Sequence, residues 1–274
     1  MIRSSFFKVL KWIIIIFFMM FCIFPLLWMV ISSFKNINEL YNFPPTLLPN
    51  NFTFENFIIV LSKGNFIRYF INSTIVAVSA TLLTVLINTM SGYALAKFDF
   101  IGRSFFLMLF ISTLMIPLEV IMIPIFRVIT KLGMANSLLG IIIPPSASPT
   151  GIFIMRQYIL GIPDEIIEAA YLDGASEWNI FTRVIIPMSK PVIAVLTIFS
   201  FMWRWNDYLW PLIVLSDPKK YTIQLAISNL MGQYTVDWNS ILAMGVIGIF
   251  PLLIIYFVFQ KYFVSGGLST GLKG

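Results

Sequence analysis

Residues 12–34 read WIIIIFFMMFCIFPLLWMVISSF, about 23 positions without a single charge. At 1.5 Å per residue a helix of that length crosses ~30 Å of hydrocarbon, whereas the apolar region of a signal peptide is shorter and is followed by small residues. Arg3, Lys8 and Lys11 precede the stretch. The expectation is therefore a retained membrane span with a basic flank. Working outward, further apolar stretches of similar length fall at 72–96, 104–126, 137–155, 191–215 and 239–260. Each must be helical, because lipid offers no partner for an unpaired backbone amide. The sequence predicts an all-α polytopic membrane protein: six transmembrane helices within a single domain over 1–274.

Composition narrows the function. Hydrophobic residues make up 59% of the chain and charged residues 11%, against about 25% charged in a soluble domain. The apolar surplus must face lipid. A net charge of +6 suits an anionic membrane face and does not imply nucleic acid. There is no histidine, and Cys22 is the one cysteine, so no metal or catalytic site and no intramolecular disulfide is expected. Gly-Lys-Ser/Thr does not occur, which removes the phosphate-binding loop of an ATPase. An ion-coupled secondary transporter would need coupling carboxylates at depth and usually paired repeats. Only Glu119 and Asp207 lie within spans, and no repeat is evident.

An even number of spans puts both termini on one side, and the basic N-terminal cluster assigns that side to the cytoplasm. Ten Lys and Arg then fall inside (3, 8, 11, 97, 103, 156, 183, 190, 261, 273) and seven outside (35, 63, 68, 127, 131, 219, 220), with Arg204 left in the fifth span. The outer segment 35–71, with Pro44-Pro45 and Pro49-Asn50-Asn51, reads as an extended loop.

The inner segment 156–190 carries the most specific pattern. Ile162-Pro163-Asp164-Glu165-Ile166-Ile167-Glu168-Ala169-Ala170-Tyr171-Leu172-Asp173-Gly174 starts with proline and two acids, favourable at a helix N-terminus, and ends in an Asp-Gly turn. Pro163, Ile166, Ile167, Ala170, Tyr171 and Gly174 share one stripe, with Asp164, Glu165 and Glu168 off it. Gly174 stands where a left-handed residue is needed.

Glu168-Ala169-Ala170, three residues, Gly174, nine residues, then Val184-Ile185-Ile186-Pro187 resembles the coupling loop of ABC importer permeases. Val184 and Ile186 stand where that family usually has Ile and Leu. The resemblance extends over most of the chain. It narrows to carbohydrate-uptake permeases like the smaller membrane subunit of the maltose system, through Asn72-Ser73-Thr74, Gly92-Tyr93-Ala94-Leu95-Ala96-Lys97-Phe98, Met115-Ile116-Pro117, Trp205-Asn206-Asp207-Tyr208-Leu209-Trp210-Pro211-Leu212 and the Gly266–Gly274 end. It implies a cytoplasmic coupling helix in which Glu168, Ala169, Ala170, Asp173, Gly174 and Pro187 engage an ATPase. It also implies a second permease subunit, two ATPase subunits that carry ATP and Mg while this chain carries no cofactor, and an extracytoplasmic solute-binding protein. The cargo implied is a sugar or oligosaccharide; another polar solute, such as a polyol or glycerophosphate, is the alternative. The tail is similar to one that reaches toward the ATPase dimer.

Three ionisable groups fall within spans: Glu119, Arg204 and Asp207. At ~2.5–3.5 kcal/mol each near the bilayer centre, they must face protein or water. Arg204 and Asp207, three residues apart on one helix, are expected to form an intramembrane ion pair. A second reading places Trp205, Asn206 and Asp207 along the substrate path, an aromatic face for a sugar ring beside polar groups for its hydroxyls. Trp203 and Trp210 are expected to anchor the interface. Pro117, Pro124, Pro144, Pro145, Pro149 and Pro211 interrupt the apolar runs and predict kinks.

Overall fold

The computed structural model describes residues 2–63, 65–231 and 236–269. Its α-helices are α1 (Ile2–Ser32), α2 (Ile37–Leu40), α3 (Glu55–Lys63), α4 (Phe66–Lys97), α5 (Arg103–Thr113), α6 (Leu118–Lys131), α7 (Leu138–Ile142), α8 (Pro149–Leu160), α9 (Asp164–Leu172), α10 (Glu177–Ile180), α11 (Ile186–Met188), α12 (Lys190–Asn206), α13 (Leu209–Val214), α14 (Ile223–Asn229) and α15 (Trp238–Ser269). An isolated bridge between Met231 and Val236 is the sole β-pairing among the described residues. The chain is all-helical, as the apolar stretches require.

Among the described residues, four helical segments are long and apolar enough to cross a membrane: Leu10–Ser32, Phe66–Lys97, Leu138–Leu160 and Trp238–Tyr262. Two further pairs qualify only when their halves are joined: Arg103–Thr113 with Leu118–Lys131, bent by 111°, and Glu177–Met188 with Lys190–Asn206, bent by 79°. Stretch 104–126 is thus not one helix; the chain turns at 114–117, where Pro117 lacks an amide to continue the ladder. Stretch 191–215 also divides. α12 stops at Asn206, Asp207 is extended (φ −70°, ψ 124°), and its carboxylate accepts the backbone N–H of Trp210 to start α13. Stretch 137–155 is interrupted at 143–148 yet continues past Met155 to Leu160, because Arg156 stays in the helix and donates from Nε to the Leu95 carbonyl. Of the predicted kinks, Pro124 and Pro211 sit inside helices, as do Pro25 and Pro251. α15 reaches Ser269, so the tail begins in a helix, and residues 270–274 lie outside the described residues.

Contacts divide the chain into two compact units, Met1–Ile67 with Ala226–Phe250, and Arg68–Leu225 with Pro251–Gly274. In the first, α1 exposes an apolar surface from Trp12 to Leu27, as a lipid-facing helix should. Beyond it the loop is organised around polar groups. Lys35 is buried, its Nζ over the Trp28 ring at 4.5 Å and donating to the Thr46 carbonyl. Asn56 Nδ2 donates to the Ser33 and Lys35 carbonyls, and Asn239 Nδ2 to Asn56 Oδ1 at 2.8 Å. Glu39 accepts from Asn50 N–H and Thr46 Oγ1, both at 2.8 Å; the Asn50 amide and the Thr46 hydroxyl, with Lys35 nearby, hold its carboxyl below the usual range against the opposing effect of burial.

Two apolar cores form among the described residues of the second unit. One gathers Tyr93, Ala96, Met155, Ile159, Ile167, Ile180, Phe181 and Ile185; the other Val76, Ala80, Met122, Ile141, Trp210 and Val214. α4 and α8 cross closely because both present glycine. A Cβ on Gly92 would lie 2.7 Å from Met155 Cβ and 2.9 Å from the Arg156 amide nitrogen, and one on Gly151 would lie 2.3 Å from Asn88 Nδ2. Small residues let membrane helices approach in this way.

Candidate functional site

The short helix α9 is held to the end of α4. Lys97 Nζ donates to the Ile162 carbonyl and pairs with Asp164, each at 2.6 Å, just where α9 begins. Ile167 is buried in the first apolar core and Ala170 packs against it, so this side of the helix faces its own chain. The other side is open. Glu168 and Ala169 are exposed, and Leu172 is 90% exposed. The sequence stripe therefore splits: Ile167 and Ala170 point inward, while Ile166 and Tyr171 are 39% and 47% exposed.

The end of α9 is a Schellman closure. Gly174 N–H donates to the Tyr171 carbonyl at 2.9 Å and Ala175 N–H to Ala170 at 3.0 Å, with Gly174 at φ +77°. Glycine is required there by conformation rather than by crowding, since a Cβ on it would meet no other part of the chain within 4 Å. Asp173 sits at the C-cap, its amide on the Ala169 carbonyl. Glu177, which no sequence motif singles out, ties the loop together: it accepts from Tyr171 Oη and, at 3.4 Å, from Tyr93 Oη on α4. The Tyr171 hydrogen bond, with partial burial and the Glu177 charge, pushes the Tyr171 phenol up. A cavity of about 200 Å³ lies between Tyr93, Lys97, Asp164, Glu168 and Tyr171. Pro187, exposed, sits in α11 behind a π-turn at Phe181–Ile185; its ring cannot accept the regular i−4 pattern, which accounts for the widened turn.

The second candidate site lies where the interrupted segments meet. The expected Arg204–Asp207 ion pair is not formed. Because α12 ends at Asn206, the two side chains no longer share a helix face: Arg204 Nη2 donates to the Pro145 carbonyl at 2.9 Å, and Asp207 caps α13. Trp205 is buried, stacked on Phe201 at 5.8 Å and edge-on to Phe70 at 5.5 Å. Asn206 is exposed and accepts from Gln224 Nε2 at 3.3 Å. Trp203, expected at the interface, borders two cavities together with Arg204 and Ser148.

One of these cavities, about 280 Å³, also reaches Leu118, Pro145 and Asp207; the other, about 240 Å³, reaches Thr84, Gly151 and Ser200. The hydroxyls of Thr84 and Ser200 and the Nε of Arg204 are buried without a hydrogen-bond partner among the described residues. Sequence reasoning missed Thr84, Ser148 and Ser200 because isolated hydroxyls in apolar runs carry no local signal. Glu119 stands in the first turn of α6, next to the Pro117 break.

Comparison with known proteins gives this architecture a family. Residues 88–266 match the model for the binding-protein-dependent transport system inner membrane component. The arabinooligosaccharides transport system permease protein of Halalkalibacterium halodurans is 35% identical over 272 residues, 97% of this chain and 98% of the relative. The sn-glycerol-3-phosphate transport system permease protein of Escherichia coli is 34% identical over 252 residues, 89% and 90% of the two. Among solved structures, a chain of a bacterial ABC transporter involved in the import of the acidic polysaccharide alginate superposes with a TM-score of 0.86 at 25% identity, covering 95% of this chain and 98% of that one. With a family match over most of its length and end-to-end relatives at a third identity, the chain belongs to the binding-protein-dependent transport system inner membrane components.

Proposed function

We propose that this chain is the permease subunit of an ABC importer for a sugar or oligosaccharide, that it forms the translocation path with a second permease, and that it draws energy from two separate ATPase subunits through α9. A solute-binding protein would deliver cargo from outside. The observation that carries the reading is α9 itself: one side anchored by Lys97, Ile167 and Ala170, the other offering Glu168, Ala169 and Leu172 to a partner, with Gly174 closing the end. A helix so exposed, on a loop between apolar segments, suits docking into a groove of another protein. In this reading each bent pair is one span, giving six, with α9 and both termini in the cytoplasm. The cavities beside Trp203, Arg204 and Asp207 border the path, and Asn206 contributes a further polar group. Trp205 supports the path from behind, as a packing residue.

Sugar cargo is favoured by the arabinooligosaccharide and alginate systems among its relatives, and glycerophosphate is the second reading, on the Escherichia coli relative. Mass spectrometry of the ligand on the co-purified binding protein distinguishes them. The coupling reading is tested by Leu172→Lys and Ala169→Trp, which alter the open side of α9 alone. Both variants should insert normally yet retain a tenth or less of the ATPase subunits in a pull-down, the order expected when ~1.4 kcal/mol or more of interface is lost. Full retention together with cargo-stimulated ATP hydrolysis in both variants rejects α9 as the docking element.

A further inference from the structure

The break between α7 and α8 contains three prolines, and its carbonyls pose an accounting problem. Ile143 keeps helical angles after α7 (φ −72°, ψ −51°), so an unbroken helix would have residue 144 donate to the Gly140 carbonyl and residue 149 to that of Pro145. Both donors are proline and have no N–H. A carbonyl left bare in a membrane interior is costly.

Each of these two carbonyls is met by a side chain from the other interrupted segment. Trp210 Nε1 donates to Gly140 O at 3.1 Å, and Arg204 Nη2 to Pro145 O at 2.9 Å. Trp210 is buried in the second apolar core, with Ile141 and Ile142 beside it in the same cluster. Ser146 Oγ donates to Ile142 O at 2.6 Å, and the Ser148 amide to Asn88 Oδ1 at 3.2 Å. Among the described residues, the break is thus stitched largely by groups outside the regular ladder.

We propose that Trp210 and Arg204 are positioning residues that supply the donors lost at Pro144 and at the extended Ala147–Ser148 turn, and so fix the α7–α8 break against the α12–α13 break at the wall of the cavity that holds Arg204 and Asp207. An intrahelical hydrogen bond would travel with its own helix. A donor borrowed from another segment ties the two segments to one position, and their separation bares two carbonyls, that of Pro145 beside the cavity. The use of this in transport rests on the function proposed above; the stitch itself rests on geometry alone.

The test is hydrogen exchange on the permease in its importer complex, in lipid nanodiscs, with neither cargo nor ATP added, so a failed cargo assay leaves the stitch untouched. Trp210→Phe keeps an aromatic ring and removes the donor. It should speed exchange of peptides covering 138–160 by about tenfold, the order expected for a buried carbonyl that loses its donor. In a Pro144→Ala background the new amide of residue 144 serves Gly140, and the same change should have less than about a twofold effect. An equal effect of Trp210→Phe in both backgrounds means the indole acts only by packing and overturns the proposal. Should a Trp210 variant fail to assemble, Arg204→Lys, which keeps a donor, against Arg204→Met gives a second comparison: faster exchange in Arg204→Met alone supports the stitch, and equal effects reject it.

Discussion

Gly174 and Gly92 are both glycines for a reason, but for different ones, and the difference predicts which second substitution recovers the loss. At Gly174 the backbone is left-handed with open space around it, so Gly174→Ala should cost about 1–2 kcal/mol from conformation alone. Gly174→Asn should recover most of that, because asparagine tolerates the region. At Gly92 the backbone is helical and the conflict is with Met155 Cβ and the Arg156 amide, neither of which can withdraw. Gly92→Ala should therefore cost roughly 1–3 kcal/mol by overpacking. Met155→Ala should not relieve it, since alanine retains the offending Cβ. Thermal unfolding of the purified variants checks both; rescue of Gly92→Ala by Met155→Ala contradicts the packing account. Gly174 was legible in the sequence because Asp173-Gly174 ends an amphipathic run. Gly92 was not, since its reason is a contact with a helix far along the chain, and the same holds for Trp205, whose neighbour Phe70 no local pattern reveals.

Among the elements, the apolar stretches were legible and their interruptions only in part. Pro117 and Pro144 to Pro149 mark true breaks, while Pro25, Pro124, Pro211 and Pro251 sit inside helices. Proline removes one donor wherever it falls, and whether the helix then breaks depends on what else satisfies the carbonyl, which is tertiary information. The break after Asn206 needs no proline at all: Asp207 caps the next helix, and that capping also dissolves the pair with Arg204 that i, i+3 spacing suggested. α9 was readable from end to end except for its tether. Tyr171 donates to Glu177, and the raised phenol gives the tether a pH signature. A group raised in the folded state stabilises fully below its ordinary value, about pH 10 for tyrosine, and loses that contribution as pH climbs through the folded value. In a phenolate absorbance titration, the difference between wild type and Tyr171→Phe should appear above pH ~10, and in Glu177→Ala it should fall back toward about 10. A Tyr171 contribution that titrates normally in the wild type removes Glu177 as the tether.

At the scale of the whole molecule, the two bent pairs decide the topology, and one labelling experiment separates the possibilities. If both pairs cross, the chain has six spans: with the N-terminus inside, residue 51 lies outside, residue 132 outside and α9 inside. If both return to the side they entered from, the four unbent segments cross alone, and the order reverses between them: residue 132 lies inside and residue 176, just after α9, outside. The termini share one side in either case, so tagging them decides nothing. The charges favour six by a small margin: that count leaves Arg156, Arg183 and Lys190 toward the inner side with the N-terminal basic cluster, against Arg127 and Lys131 in the four-span order, while Arg103 lies inside in both. Cys22 is first replaced by serine, since it lies exposed on α1 and is the one native thiol. Single cysteines are then placed at Asn51, Leu132 and Ser176, all outside the helices, and intact cells are treated with an impermeant maleimide. The six-span arrangement predicts labelling at Asn51 and Leu132, with Ser176 reacting only after the membrane is opened. Labelling of Asn51 and Ser176 without Leu132 would mean that the 103–131 pair is re-entrant, which would carry α9 to the face opposite any cytoplasmic ATPase and end the docking proposal.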